Sequence, residues 1–191
     1  LVFPAGTYLS NQITKNYAIN ILGFGAIIKV QNSSGWTWIF QGSLGSSLSL
    51  ISNVTENDTT LSINTAGLAI DDLLLVGDTS ASYSAQPTRY RGQLLEIDSV
   101  NNATQVTLKQ PSYTAFLISR SGFAQKVNTI NNFSIKGLKF ISEDAAYFGG
   151  FLNIKYGRSF EIEVDGEGSG QAGILIQSCY KFRIKTRATD Y

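Results

Sequence analysis

The sequence predicts an all-β protein: a right-handed parallel β-helix (a solenoid) with a small inserted antiparallel β-domain. Three observations carry this. First, the stretch from Val127 to Arg187 repeats: Ile154 falls on Ile176, Phe160 on Phe182, Ile162 on Ile184 and Val164 on Thr186, at an offset of 22. A period in the low twenties is the mark of stacked structural repeats. Second, the unit Phe-x-Ile-x-(Gly/Val/Thr) alternates with period two, so each repeat carries a strand. Successive strands then stack in parallel about 4.8 Å apart, Phe on Phe and Ile on Ile. Third, the period breaks between residues 47 and 126 and resumes in frame at Val127.

Taken in order, residues 1–46 are expected to form the first β-helix coils. Val2-Phe3 and Thr7-Tyr8-Leu9 are short strands around the Pro4-Ala5-Gly6 turn. Ile13, Ile19, Ile21 and Gly23 give the first repeat, in the same frame as Val127, Phe133, Ile135 and Gly137. Those four in turn align with Ile154, Phe160, Ile162 and Val164. Gly23 and Gly25 read as corner glycines with positive φ, since neither the third glycine nor the helix of a phosphate-binding loop follows. Trp36 to Phe40 is a further strand.

Residues 47–126 form the expected insertion. Thr60 to Ile63 and Leu73 to Val76 are strands, and Gln93 to Ile97 and Gln105 to Leu108 flank a hairpin turn at Asn101-Asn102. Polar Thr79 to Arg91, holding Tyr83, Pro87, Arg89 and Tyr90, reads as an exposed loop. A solenoid tolerates an insertion at a corner because each coil touches only its neighbours. Residues 127–191 continue the coils.

Composition narrows the function. Hydrophobic residues make up 43% of the 191 and charged ones 15%, which suits a packed protein and not a disordered one. A net charge of +1 gives no electrostatic case for nucleic acid or an anionic membrane. No apolar run approaches the roughly 20 residues that span a bilayer, so no membrane insertion is expected. The absence of His removes Ser-His-Asp and Cys-His systems and His-ligated metals, and no cofactor or metal site is expected. Cys179, the lone cysteine, reads as a small buried filler. The absence of Met implies a fragment or processed piece of a longer solenoid.

Phe3-Pro4-Ala5-Gly6-Thr7-Tyr8, with Ile19-Asn20-Ile21-Leu22-Gly23-Phe24-Gly25-Ala26, resembles the opening coils of the pectate-lyase-like β-helix superfamily. The inserted Thr60-Leu61-Ser62-Ile63, Asp71 to Val76 and Gly92-Gln93-Leu94, followed by Phe133 to Leu138, are similar to many phage and bacterial members. That superfamily includes bacteriophage tailspikes and tail-fibre depolymerases. The resemblance implies a virion (phage tail) or extracellular protein, a homotrimer, that binds and depolymerises bacterial capsular or lipopolysaccharide glycan. Two other classes compete with it. One is a monomeric bacterial extracellular polysaccharide lyase, hydrolase or epimerase, and the other a non-enzymatic structural or adhesin module.

The repeat aligns outward charges into ladders. Glu161 is expected over Arg183, Glu163 over Lys185 and Asp165 over Arg187, with Lys136 on the other side of Glu163. Opposite charges on adjacent strands favour the correct register, and this structural reading is preferred. The catalytic reading makes Glu163 and Asp165 a carboxylate pair. Two residues apart on one strand face they stand about 7 Å apart, within the 5–9.5 Å that glycoside hydrolysis requires. Adjacent cations lower a carboxyl pKa, which counts against a general acid. Lys155, Tyr156, Arg158 and Tyr180 supply lyase residue types without a diagnostic spacing. For substrate binding, Glu143, Asp144 and Tyr147 lie in the longest loop between coils, and Trp38 shares a strand face with Trp36. Aromatic faces stack on pyranose rings and carboxylates accept hydroxyl hydrogen bonds. The alternatives are a solvated loop and simple packing. Asn32, Asn53, Asn57, Asn102 and Asn132 fit Asn-x-Ser/Thr but read as turn residues that satisfy corner backbone.

Overall fold

The computed structural model describes the chain except residues 32–33, 84–85, 143–147, 169–172 and 190–191, together with the side chains at 80–83, 86–91, 148 and 188–189. It divides into two compact units, one of Leu1–Ser43 with Thr129–Tyr191 and one of Leu44–Asn128.

The first unit is the right-handed parallel β-helix. Its opening coil holds β1 (Val2–Phe3), β2 (Gly6–Ser10) and β3 (Ile13–Lys15), and its second holds β4 (Ile21–Val30) and β5 (Ser34–Gln41). The chain then builds the second unit: β6 (Ser43–Ser49), β7 (Thr60–Ser62), β8 (Leu73–Tyr83), β9 (Gln86–Asn102), β10 (Gln105–Leu108), a 3₁₀ turn (Ile118–Arg120) and β11 (Phe123–Asn128). The solenoid resumes with β12 (Ile130–Asn131), β13 (Ser134–Ile141) and β14 (Phe148–Lys155), continues with β15 (Gly157–Glu167) and β16 (Ile174–Gln177), and closes with β17 (Tyr180–Thr189). Strands β1, β2, β4, β12, β13, β15 and β17 make one seven-stranded sheet, and β16-β14-β5-β3 make the second. Every solenoid pairing is parallel.

Inward positions repeat from coil to coil, so like packs on like. Ile21, Ile135, Ile162 and Ile184 form one unbroken column in strand register. Phe133, Phe160 and Phe182 form another, with ring centroids 4.9 and 5.3 Å apart and planes within 14° of parallel. Such aromatic pairs contribute roughly 0.5–1.5 kcal/mol beyond the area they bury. Phe40 extends this column at 5.8 Å from Phe133. Phe40 also pairs with Ile154, so the position expected for Val127 belongs to Phe40. Val127 lies instead in β11 of the other unit, because the chain detours between these coils. Ile13 likewise sits two places from the expected position: it pairs with Trp38, and Lys15 is the one opposite Phe40.

The expected match of Gly137 with Val164 also fails, for a physical reason. Lys136 pairs with Glu163 and Leu138 with Val164, leaving Gly137 as an extra residue in a β-bulge at φ 69°. Gly25 is the corresponding bulge residue of β4, at φ 73°. There the excess is larger, because Leu22 pairs with Lys136 and Ala26 with Leu138. Gly23 is glycine for a different reason than positive φ. A Cβ on it would meet the Gly137 carbonyl oxygen at 2.5 Å, and one on Gly137 would meet the Gly23 oxygen at 2.2 Å. Elsewhere the corners use other residues in left-handed conformation. Asn132, Ser159 and Lys181 stand one above another, at φ 56°, 54° and 52°.

The second unit is a six-stranded sheet, β6-β11-β8-β9-β10-β7, antiparallel at its β11–β8, β8–β9, β9–β10 and β10–β7 pairings. Leu61, Ile63, Leu74, Val76, Leu95, Ile97, Val106 and Phe116 are buried in its core. Two expectations change here. Of the segment read as a loop from Thr79 to Arg91, the described residues, 79–83 and 86–91, are strand in the β8–β9 pair, with Asp78 opposite Arg91 and Tyr83 opposite Gln86. Backbone pairing holds it, so polar composition concealed it. Asn102 ends a strand and does not turn: Gln105 pairs with it, and its Oδ1 accepts from the Thr104 N–H at 2.8 Å. Ion pairs join Lys109 to Asp71 and to the buried Glu96, the latter at 3.2 Å, and the hydrogen bond to Asp71 leads the causes that raise the Lys109 pKa.

Gly137→Ala is expected to destabilise the solenoid by on the order of 2–3 kcal/mol, since the new Cβ combines left-handed strain with overlap on the Gly23 backbone. Urea unfolding followed by tryptophan fluorescence checks this, because both tryptophans, Trp36 and Trp38, lie in that unit.

Candidate functional site

Outward positions of the seven-stranded sheet carry most of the solenoid's charge. Strand alternation places Lys136 and Lys139 on β13, Glu161, Glu163, Asp165 and Glu167 on β15, and Arg183, Lys185 and Arg187 on β17. Glu161 stands opposite Arg183, Glu163 opposite Lys185 and Asp165 opposite Arg187. Lys136 lies opposite Glu163 in register, but its ammonium reaches diagonally to Glu161. Lys185 then takes Glu163, at 2.5 Å, and Lys139 takes Glu167.

These contacts set the chemistry. The Lys136 hydrogen bond holds the Glu161 carboxyl below its ordinary value, and the Lys185 hydrogen bond does the same for Glu163. Both are therefore ionised at neutral pH, fit to accept hydrogen bonds and unfit to deliver a proton. Asp165 is exposed and forms no ion pair among the described residues.

Beside this ladder lies a groove of about 450 Å³, lined by residues of β4, β13, β15 and β17. Gly25 and Gly137 border it without side chains, and Lys139, Glu163, Asp165, Lys185 and Arg187 supply its charge. The groove sits where the bulges end: residues 23–25 intervene on β4, one glycine on β13 and none on β15. It thus brings together Glu163 and Asp165, the sequence-derived carboxylate pair. Their spacing of about 7 Å along the strand suits two carboxyls flanking a glycosidic bond. Glu163, held ionised by Lys185, does not supply the proton that such a pair requires. No group of His, Cys, Asp and Glu among the described residues could hold a metal ion.

The remaining candidates are dispersed. Trp38 is 4% exposed, set edge-on to Phe140 at 5.1 Å, with its Nε1 donating to Ser10 Oγ at 2.9 Å. It is a core residue and offers no face to a sugar. Glu143, Asp144 and Tyr147 lie outside the described residues. Lys155 sits over the Tyr156 ring at 5.0 Å, and Arg158 and Lys181 lie over the Tyr180 ring at 5.8 and 5.1 Å, so these residues contact one another. The Cys179 sulfur packs against the core and accepts the Gly157 N–H at 3.2 Å, and burial raises its thiol pKa. Four of the Asn-x-Ser/Thr asparagines serve the backbone: Asn53 Oδ1 accepts from the Ile118 N–H, Asn102 Oδ1 from the Thr104 N–H, and Asn57 and Asn132 occupy left-handed turns; Asn32 lies outside the described residues. What the sequence did not disclose is Lys139 and the glycine-bordered groove, which depend on the bulge.

No protein family matches the sequence, and no curated protein does. The fold is similar to that of three solved phage tailspikes. Against gp54 of Acinetobacter baumannii bacteriophage AP22, whose structure holds an A. baumannii capsular saccharide, the TM-score is 0.84 at 23% identity, over 96% of this chain and 31% of that one. Against gp49 of Pseudomonas phage LKA1 the TM-score is 0.81 at 20% identity, over 99% and 33%. Against gp61 of Pseudomonas phage phi297 it is 0.73 at 16%, over 100% and 39%. The chain thus spans about a third of the length of these tailspikes. At these identities the likeness is one of fold, and that fold is tailspike-like.

Two outcomes follow from the ladder. Glu163→Lys should lower the unfolding midpoint, placing a third cation between Lys136 and Lys185, and adding Lys185→Glu should recover part of the loss. Independent effects in the double-mutant cycle would refute the pairing. The second concerns pH. A folded pKa held below 4.5 makes the Glu161 contribution complete above the unfolded value and lost as pH falls through the folded one. Glu161→Gln should therefore destabilise at pH 7, and the difference from wild type should close on acidification, read by urea melts across pH 3–7.

Proposed function

We propose that this chain is part of a phage tailspike- or tail-fibre-type protein, carried on the virion tail as a homotrimer, that binds and depolymerises bacterial capsular or lipopolysaccharide glycan. One observation carries the reading: nearly the whole chain superposes on a tailspike whose structure holds a capsular saccharide. The groove between the glycine bulges and the Glu163–Asp165 strand is the proposed contact surface for the polymer. Its ionised carboxylates accept sugar hydroxyls and its cations donate to ring and acyl oxygens. In this assignment Glu163 and Asp165 bind, and Glu163 does not act as the general acid.

One specific observation favours a second reading, a non-cleaving adhesin arm. The lysine contacts that depress the Glu161 and Glu163 pKa values keep both carboxyls ionised, so neither serves as a general acid.

The test is incubation of the protein with a panel of capsular polysaccharides and lipopolysaccharides, with affinity, product size and chain mass measured together. Binding with defined oligosaccharides supports the depolymerase, and end-group mass separates hydrolase from lyase. Binding that leaves polymer length unchanged supports the adhesin reading. No binding to any glycan overturns both. Light scattering at three chain masses supports the trimer, and one chain mass overturns it.

A further inference from the structure

The most exposed aromatic ring among the described residues belongs to Tyr113, 71% accessible in the loop that follows β10. One exposed ring is ordinary on a protein surface, but the way this one is held is not. Val54 and Phe116, both buried, form an antiparallel bridge whose backbone hydrogen bonds measure 2.9 and 3.0 Å. Farther along, the Asn57 N–H donates to the Ser112 carbonyl at 2.7 Å, and the Ser112 N–H donates to the Asp58 carbonyl at 2.8 Å. Segments 55–57 and 113–115 are thus fastened to each other at both ends. The side chain of Gln93 on β9 clamps one of them again. Its Oε1 accepts the Tyr113 N–H at 2.9 Å, and its Nε2 donates to the Pro111 carbonyl at 3.3 Å. Ser112 is fully buried, and its Oγ donates to the Thr114 carbonyl at 2.7 Å. On the facing segment, Asp58 Oδ2 accepts the Thr55 N–H at 2.6 Å and closes that turn. The backbone around Tyr113 is fixed while its ring meets solvent.

Building on the glycan reading above, we propose that Tyr113 is a stacking platform for a pyranose ring, giving the inserted unit a glycan contact of its own in addition to the solenoid groove. The π face of the ring is negative, and the C–H face of a sugar complements it. A loop already held in one conformation loses little entropy on binding, and tyrosine brings a large contact area on few rotatable bonds. Glu56 and Asn57, exposed on the facing segment, supply partners for the sugar's hydroxyls: the carboxylate accepts, and the amide both donates and accepts. Because a ring face makes the contact, it takes neutral sugars as well as charged ones, and added salt leaves it intact.

The experiment takes the tightest-binding polysaccharide of the panel above and titrates it into the wild type and three variants by calorimetry. Tyr113→Ala should weaken binding by about fivefold or more, whereas Tyr113→Phe and Tyr113→Trp, which keep a ring face, should stay within about twofold of wild type. Melting curves should be unchanged for so exposed a side chain. In the wild type, saturating glycan should also slow nitration of Tyr113 by tetranitromethane, located by peptide mass. Tyr113→Ala binding as tightly as wild type, with nitration of Tyr113 unslowed, overturns the platform and leaves the glycan reading standing on the groove. Equal losses in Tyr113→Ala and Tyr113→Phe overturn the stacking assignment in favour of the phenolic hydroxyl. Binding to no glycan of any kind overturns the glycan reading itself, and the platform with it.

Discussion

Every coil of the solenoid must set its inward side chains at the heights its neighbours use, and this in-register stacking governs the rest. A parallel ladder slipped by one residue turns the apolar set outward and the charges inward. The Ile21–Ile135–Ile162–Ile184 column and the Phe133–Phe160–Phe182 stack are that constraint made visible on the inner face. On the outer face the same register places Glu161, Glu163 and Asp165 opposite three cations. Core packing and surface electrostatics therefore reject the same misalignments.

The constraint also explains which parts of the structure could be read from the sequence. Between β15 and β17 no bulge intervenes, so the sequence offset and the strand register coincide, and the residue pairs follow directly. One extra residue on β13 breaks that equality. Ile135-Lys136 and Leu138-Lys139 are two alternations out of phase, joined by Gly137. That break of phase at a glycine is the available signal of a bulge. Between Asn128 and the second coil the sequence gives no hint that Phe40 takes the expected place of Val127, because the pairing spans the intervening unit. The β8–β9 hairpin was hidden because backbone hydrogen bonds, not apolar alternation, hold its polar end.

The candidate site was legible as a face and illegible as a set of contacts. Period two establishes that Glu163 and Asp165 share a face. It does not disclose that Lys136 turns diagonally to Glu161, nor that Trp38 points into the core. These depend on side-chain direction, which strand spacing leaves open. The same neighbours that fix the ladder's register hold its carboxylates ionised, so structural service and acid chemistry compete for the same residues. Asp165, outside those ion pairs, is the carboxylate of the face least committed to the fold.

The graded bulges separate two kinds of change in the solenoid. Five positions separate inward Ile21 from inward Ala26, three separate Ile135 from Leu138, and two separate Ile162 from Val164, yet all six side chains remain in the same two columns. The surplus length is spilled outward, as Phe24 and Gly25 in one coil and Gly137 in the next, with Gly23 packed against the Gly137 carbonyl. The wall of the helix thus has a seam at which residues are gained or lost while the interior stays undisturbed. Surface relief along this face can therefore change, coil by coil, over an unchanged inner lattice, so the outer face and the core answer to separate demands.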